Sequence, residues 1–183
     1  MTQVILFHGT GGTPQHFWFP YIRKELDSKK FKVFIPQLPF TDNPNLKEQL
    51  LFVLDKYAFD SDTILVGHSA GCPLILSVLE KIEVEIKRAI LVSGFVDPLD
   101  GDVDLILQPK YNWKKIKQHC QDFVFINSVN DPWGCNDQQG CKMFNKLGGS
   151  LIVRQKAGHM GSEKFNQPYK KFPLVKFLIE NSL

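Results

Sequence analysis

Thr63-Ile64-Leu65-Val66-Gly67-His68-Ser69-Ala70-Gly71 is a short apolar run that ends in Gly-X-Ser-X-Gly and passes directly into a helical pattern. Read as strand, tight turn and helix, it places Ser69 at the apex of a nucleophile elbow. Gly67 and Gly71 stand where a Cβ would crowd the adjoining strand and helix. The backbone at Ser69 is expected to be strained, and strain at such a point directs attention to function.

The rest of the chain supplies matching elements. Short apolar, β-branched runs recur at Val4 to Phe7, Phe31 to Ile35, Thr63 to Val66, Ala89 to Val92, Phe123 to Asn127 and Leu151 to Val153. Runs apolar on both faces suit a parallel sheet covered by helices. Thr13-Pro14, Asn43-Pro44 and Phe172-Pro173 each read as a helix start, with proline at the first helical position. Six strands alternating with helices predict a three-layer, doubly wound α/β architecture, with residues 1–183 forming one domain. A strand order of 2-1-3-4-5-6 would make the first and third strands neighbours and open a crevice between the turns that follow them. The irregular stretch 95–112 is either a small lid near the site or a surface excursion.

Composition narrows the function classes. The 183 residues are 43% hydrophobic and 22% charged, with a net charge of +3, too small and dispersed for a nucleic-acid surface. Lys114, Lys115 and Lys117 read as a solvated helix face. No apolar run approaches the roughly 20 residues that span a bilayer. The first strand starts near Gln3, leaving no room for a leader, so a cytoplasmic location is expected unless an export signal once preceded Met1. Cys72, Cys120, Cys135 and Cys141 show no paired metal-ligand spacing and read as reduced thiols, with a Cys135–Cys141 bridge as the alternative. No metal and no cofactor are expected. Gly9-Thr10-Gly11-Gly12 lacks the third glycine of a dinucleotide turn, and the second strand ends Pro36-Gln37 without an acidic residue for a ribose.

A serine hydroxyl needs an adjacent base, and that base an orienting group. Of five histidines, His8 and His68 sit beside glycines in tight turns and are read as ordering loops. His16 falls early in the first predicted helix, and His119 follows the basic helix. His159 lies in Ala157-Gly158-His159-Met160-Gly161, just past the last strand, and so reaches the carboxyl edge of the sheet with Ser69. Asp131 leaves the fifth run and gives the chain order Ser, Asp, His of α/β-hydrolases. Asp97 is its rival, and Asp137 reads as a helix cap. Cys72 is read as packing rather than as a thiol nucleophile. The oxyanion donors expected are the amides of Ala70 and Thr10, with Gly11 close behind. Gly11, Trp18, Phe95, Trp133 and Met160 are the candidates for the pocket wall.

These residues carry a wider likeness. His8-Gly9, His16-Phe17-Trp18-Phe19-Pro20, Gly67 to Pro73, Leu91-Val92-Ser93-Gly94-Phe95, Asn130-Asp131-Pro132 and Gly158-His159 run along nearly the whole length. In this series the chain resembles an α/β-hydrolase, and more narrowly the small serine hydrolases related to retinoblastoma-binding protein nine, especially their compact bacterial members. The resemblance implies a triad of Ser69, Asp131 and His159, a minimal cap and a shallow site. Met160 departs from it, standing where an aromatic residue often follows the histidine. The expected activity is hydrolysis of small ester or thioester substrates; a protein-interaction module and a peptidase or amidase are the alternatives. The partner expected is a small acyl substrate, with neither nucleic acid nor membrane, and nothing in the sequence supports a protein partner.

Overall fold

The computed structural model describes residues 1–26, 30–99 and 105–181. Six strands, β1 (Thr2–Phe7), β2 (Phe31–Phe34), β3 (Ile64–His68), β4 (Arg88–Val92), β5 (Phe123–Ser128) and β6 (Ser150–Arg154), form one sheet in the order β2-β1-β3-β4-β5-β6. Every neighbouring pair is parallel. The order meets the condition set on the sequence, and it puts β1 beside β3, with Phe7 opposite Gly67.

Alternation along each strand sends side chains into two cores, because successive residues face opposite sides of a sheet. Ile5, Phe7, Leu65 and Leu91 pack beneath α2 (Leu46–Lys56), α3 (Gly71–Lys81), α4 (Trp113–Gln118) and α5 (Asp137–Leu147). Val4, Leu6, Val66 and Val92 face α1 (Phe19–Leu26) and α6 (Pro173–Glu180) on the other side. The helices after β1 and β3 thus lie on opposite faces, and the crevice between the two turns follows. Stretch 95–112 includes residues 100–104, outside the described set, so the reading of that stretch as a lid is not addressed. Its described flanks are tied down: Leu46 donates its amide to the Leu105 carbonyl, and Gln108 donates to Ser77 Oγ.

Three predicted helix details are corrected. Thr13-Pro14 opens no helix: residues 14–18 form turns, and α1 starts at Phe19. Phe17 has φ 51°, which no helix accommodates, and its ring lies against Gly161 where a Cβ would come within 2.8 Å. A long-range contact has overridden the local start signal, and His16 consequently sits in a loop. The cap of α2 is Asn45, whose side chain accepts from the Glu48 amide, so Asn43-Pro44 lies just outside the helix. Asn136 rather than Asp137 caps α5, accepting from the amides of Gln138 and Gln139. The third start signal holds, with Pro173 as the first residue of α6.

Candidate active site

The elbow forms as read. Ser69 has φ 53°, in the left-handed region that L-residues avoid. Its amide donates to the Val92 carbonyl on β4 at 2.9 Å, and its carbonyl accepts from the Cys72 amide at 2.9 Å. A Cβ on Gly71 would stand 2.2 Å from the Phe7 carbonyl oxygen, and one on Gly67 would stand 2.8 Å from the Gly71 carbonyl oxygen. Both distances exclude a side chain, so the two glycines are required by the close packing of β1, β3 and α3.

Asp131 and His159 meet in the buried interior of the carboxyl edge. His159 Nδ1–H donates to Asp131 Oδ2 at 2.8 Å, with the Asp131 side chain fully shielded from solvent. Asp131 Oδ1 accepts from the Trp133 amide at 2.9 Å, so both carboxylate oxygens are engaged. The bond fixes the proton on Nδ1 and leaves the Nε2 lone pair as the ring's base. Asp97 is placed elsewhere: it pairs with Lys142 on the surface. The loop carrying His159 is tied to the end of β5 and the turn after it by two side chains, Ser128 Oγ accepting from the Ala157 amide and Asn130 Oδ1 from the Gly158 amide.

A cavity of about 320 Å³ opens over Ser69 and His159. Its floor and sides include the turn from His8 to Gly12, and Phe17, Phe95, Leu99 and Trp133 form an apolar wall. Among the pocket candidates, Gly11, Phe95 and Trp133 line this cavity. Trp18 and Met160 do not, which corrects the sequence reading. Both are fully buried in the α1/α6 core, where Trp18 Nε1–H donates to the Met160 carbonyl at 3.0 Å. Phe17, Phe19 and Leu99 also take part, and Phe17 reaches the wall through its positive φ.

The Gly11 amide donates to the Thr41 carbonyl at 2.7 Å and is not available to a ligand. The amides of Thr10 and Ala70 have no acceptor among the described residues. Cys72 is buried in the first turn of α3, where burial pushes its thiol far above the ordinary range and its Sγ–H donates to the Val92 carbonyl. A thiolate is disfavoured there, as the packing reading requires. None of the four cysteines is bridged. Asp131, Cys135 and His159 bring three atoms of metal-ligand type within 4.8 Å of one another, a grouping their spacing in sequence does not announce. Two of the three hold each other, so the set functions first as a hydrogen-bonded pair.

Two of the three other histidines that line the cavity, His8 and His68, are loop organisers. Burial lowers the His8 pKa; its Nε2 accepts from the Leu38 amide and its Nδ1–H donates to the Gly9 carbonyl. His68 ends β3, enclosed by Phe17, Trp18 and Phe19. Burial there, with the neighbouring His159 acting in the same direction, lowers its pKa to about 3.

Residues 4–180 match the serine hydrolase family. The chain belongs to that family. It is 31% identical over 134 residues to YdeN of Bacillus subtilis (strain 168), named as a hydrolase, an alignment that covers 70% of each chain. The crystal structure of the B. subtilis ydeN gene product superposes with a TM-score of 0.88 at 24% identity, over 100% of this chain and 98% of that one. Est1E of Butyrivibrio proteoclasticus, solved with ferulic acid bound, gives a TM-score of 0.70 at 12% identity, over 98% and 87% of the two chains. These superpositions establish the α/β-hydrolase fold, and family membership makes the protein a hydrolytic enzyme.

Proposed function

We propose that the protein hydrolyses small esters or thioesters through an acyl-enzyme on Ser69. The observation that carries this reading is the buried Asp131–His159 hydrogen bond at the edge of the same cavity that the strained Ser69 lines. Ser69 Oγ attacks the acyl carbonyl while His159 Nε2 takes its proton. The Ala70 and Thr10 amides, without an acceptor among the described residues, hold the tetrahedral oxyanion. His159 then returns the proton to the leaving group, and water, activated by the same nitrogen, releases the acid. Asp131 keeps the imidazole in the Nδ1–H tautomer and stabilises the imidazolium as it forms. A cavity of this size with aromatic walls suits a short acyl group. The esterase likeness of the structural relatives agrees with this choice of substrate. We also assign the enzyme to the cytoplasm, since four unbridged cysteines suit a reducing compartment.

Turnover of 4-nitrophenyl esters from acetate to octanoate, alongside acyl thioesters and peptide anilides, tests the proposal. Short esters or thioesters should turn over in preference to anilides, and Ser69→Ala should reduce kcat on the order of 10⁶-fold where chemistry limits the rate. Unchanged turnover in Ser69→Ala, or activity confined to anilides, would contradict it.

A further inference from the structure

The His159 carbonyl accepts two buried side-chain hydrogen bonds. His68 Nε2–H donates to it at 2.8 Å and Ser93 Oγ–H at 2.9 Å. Both donors are buried, and between them they occupy both lone pairs of the oxygen. We infer that His68 and Ser93 are positioning residues for the catalytic base, acting through the His159 backbone. This rests on the proposed role of His159.

The two donors come from the sheet rather than from the loop. His68 is the last residue of β3, paired in register with Val92, and Ser93 follows Val92 directly at the end of β4. Ser93 has φ 48°, and its amide is held by the Ile126 carbonyl on β5 at 2.8 Å. Asp131, which follows β5, grips the other end of the same residue at Nδ1. His159 is therefore suspended from the ends of three adjacent strands, while its own loop leaves the sheet edge at β6. Loops are the mobile part of a scaffold, and rigid elements fix functional geometry better. Nucleophile and base are thereby referenced to one frame: Ser69 is the next residue after His68, and its amide bonds to Val92, the residue before Ser93.

The chemistry of His68 fits this role. Its ring lies 4.9 Å from the His159 ring, facing Asp131 and His8 as the other ionisable neighbours. Catalysis places a positive charge on His159, and a second imidazolium at that distance would oppose it. Enclosure by Phe17, Trp18 and Phe19 keeps His68 neutral. It supplies a fixed N–H donor without adding charge. A histidine that only filled space would need no such donor.

The test compares His68→Gln, whose amide can replace the Nε2–H donor, with His68→Leu and Ser93→Ala, which remove one donor each. The readouts are kcat and KM on a 4-nitrophenyl ester, the pH profile of kcat/KM, and Tm. Displacing a reacting group by about 1 Å costs on the order of 100-fold. His68→Leu and Ser93→Ala should therefore lose about 10- to 100-fold in kcat with KM little changed, and His68→Gln should recover most of that loss. The acidic limb of the profile should move to lower pH in His68→Leu, because a slackened Asp131 contact stabilises the imidazolium less, and should return in His68→Gln. Wild-type kcat in Ser93→Ala, or equal losses in the Gln and Leu variants, would overturn the inference. Should His68→Leu not fold, Ser93→Ala and His68→Gln still decide. His159→Gln separates the two levels: if it stays active, the proposed mechanism falls; if it is inactive while the donor variants are indifferent, the positioning role alone falls.

Discussion

At residue scale, the site depends on which carboxylate serves His159. Asp131→Asn keeps the size of the side chain but loses the acceptor that fixes the Nδ1–H tautomer. Ester kcat should drop on the order of 10⁴-fold. Asp97→Asn, which only breaks a surface pair with Lys142, should stay close to wild type. The reverse pattern would reassign the third group. His68 adds a prediction on stability. Its folded pKa of about 3 lies below the ordinary 6.5, so between those values the unfolded chain binds the extra proton. Stability from this residue is complete above about pH 6.5 and is lost as pH falls toward 3. Tm measured over that window should fall less steeply in His68→Gln than in wild type; parallel curves would show that His68 does not titrate differently on unfolding. The elbow and the histidine loop were readable because each follows a strand end, and strand ends are set by local apolar runs. The roles of Trp18 and Met160 were not, because their burial is decided by where α1 and α6 meet the sheet. The donor pair His68 and Ser93 gave only a faint signal, two polar residues directly after apolar strands.

At the scale of elements, the strands were legible almost to the residue, while two of the three helix starts that proline suggested were displaced. Proline at position N1 is permitted, but it does not compel a helix. Between Thr13 and Phe19 the chain makes turns so that Phe17 can pack on Gly161 and reach the cavity. At α5 the choice between adjacent polar residues fell to Asn136, whose extended backbone lets Oδ1 reach two amides. Asn136→Ala should cost about 1 kcal/mol in urea unfolding, and Asp137→Ala a smaller fraction of that. Equal costs would return the cap to Asp137.

At the scale of the whole molecule, the strand order makes the site possible. With β1 next to β3, the Gly9–Gly12 turn and the Ser69 elbow emerge side by side, and the order β3-β4-β5-β6 carries Asp131 and His159 to the same edge. Apolar runs on both faces pointed to a parallel sheet, while the order of its strands entered the sequence reading only as a condition. The cavity wall was less legible, since it is assembled from loops that meet only after the sheet has formed. Among the described residues no helix is long and apolar enough to cross a membrane. The central claim is that Ser69 is the nucleophile, and covalent labelling addresses it most directly. Wild-type protein treated with a fluorophosphonate should gain one adduct by intact mass, mapped to the peptide containing Ser69, and Ser69→Ala should gain none. Absence of an adduct on wild-type protein, or an adduct retained in Ser69→Ala, would contradict the account.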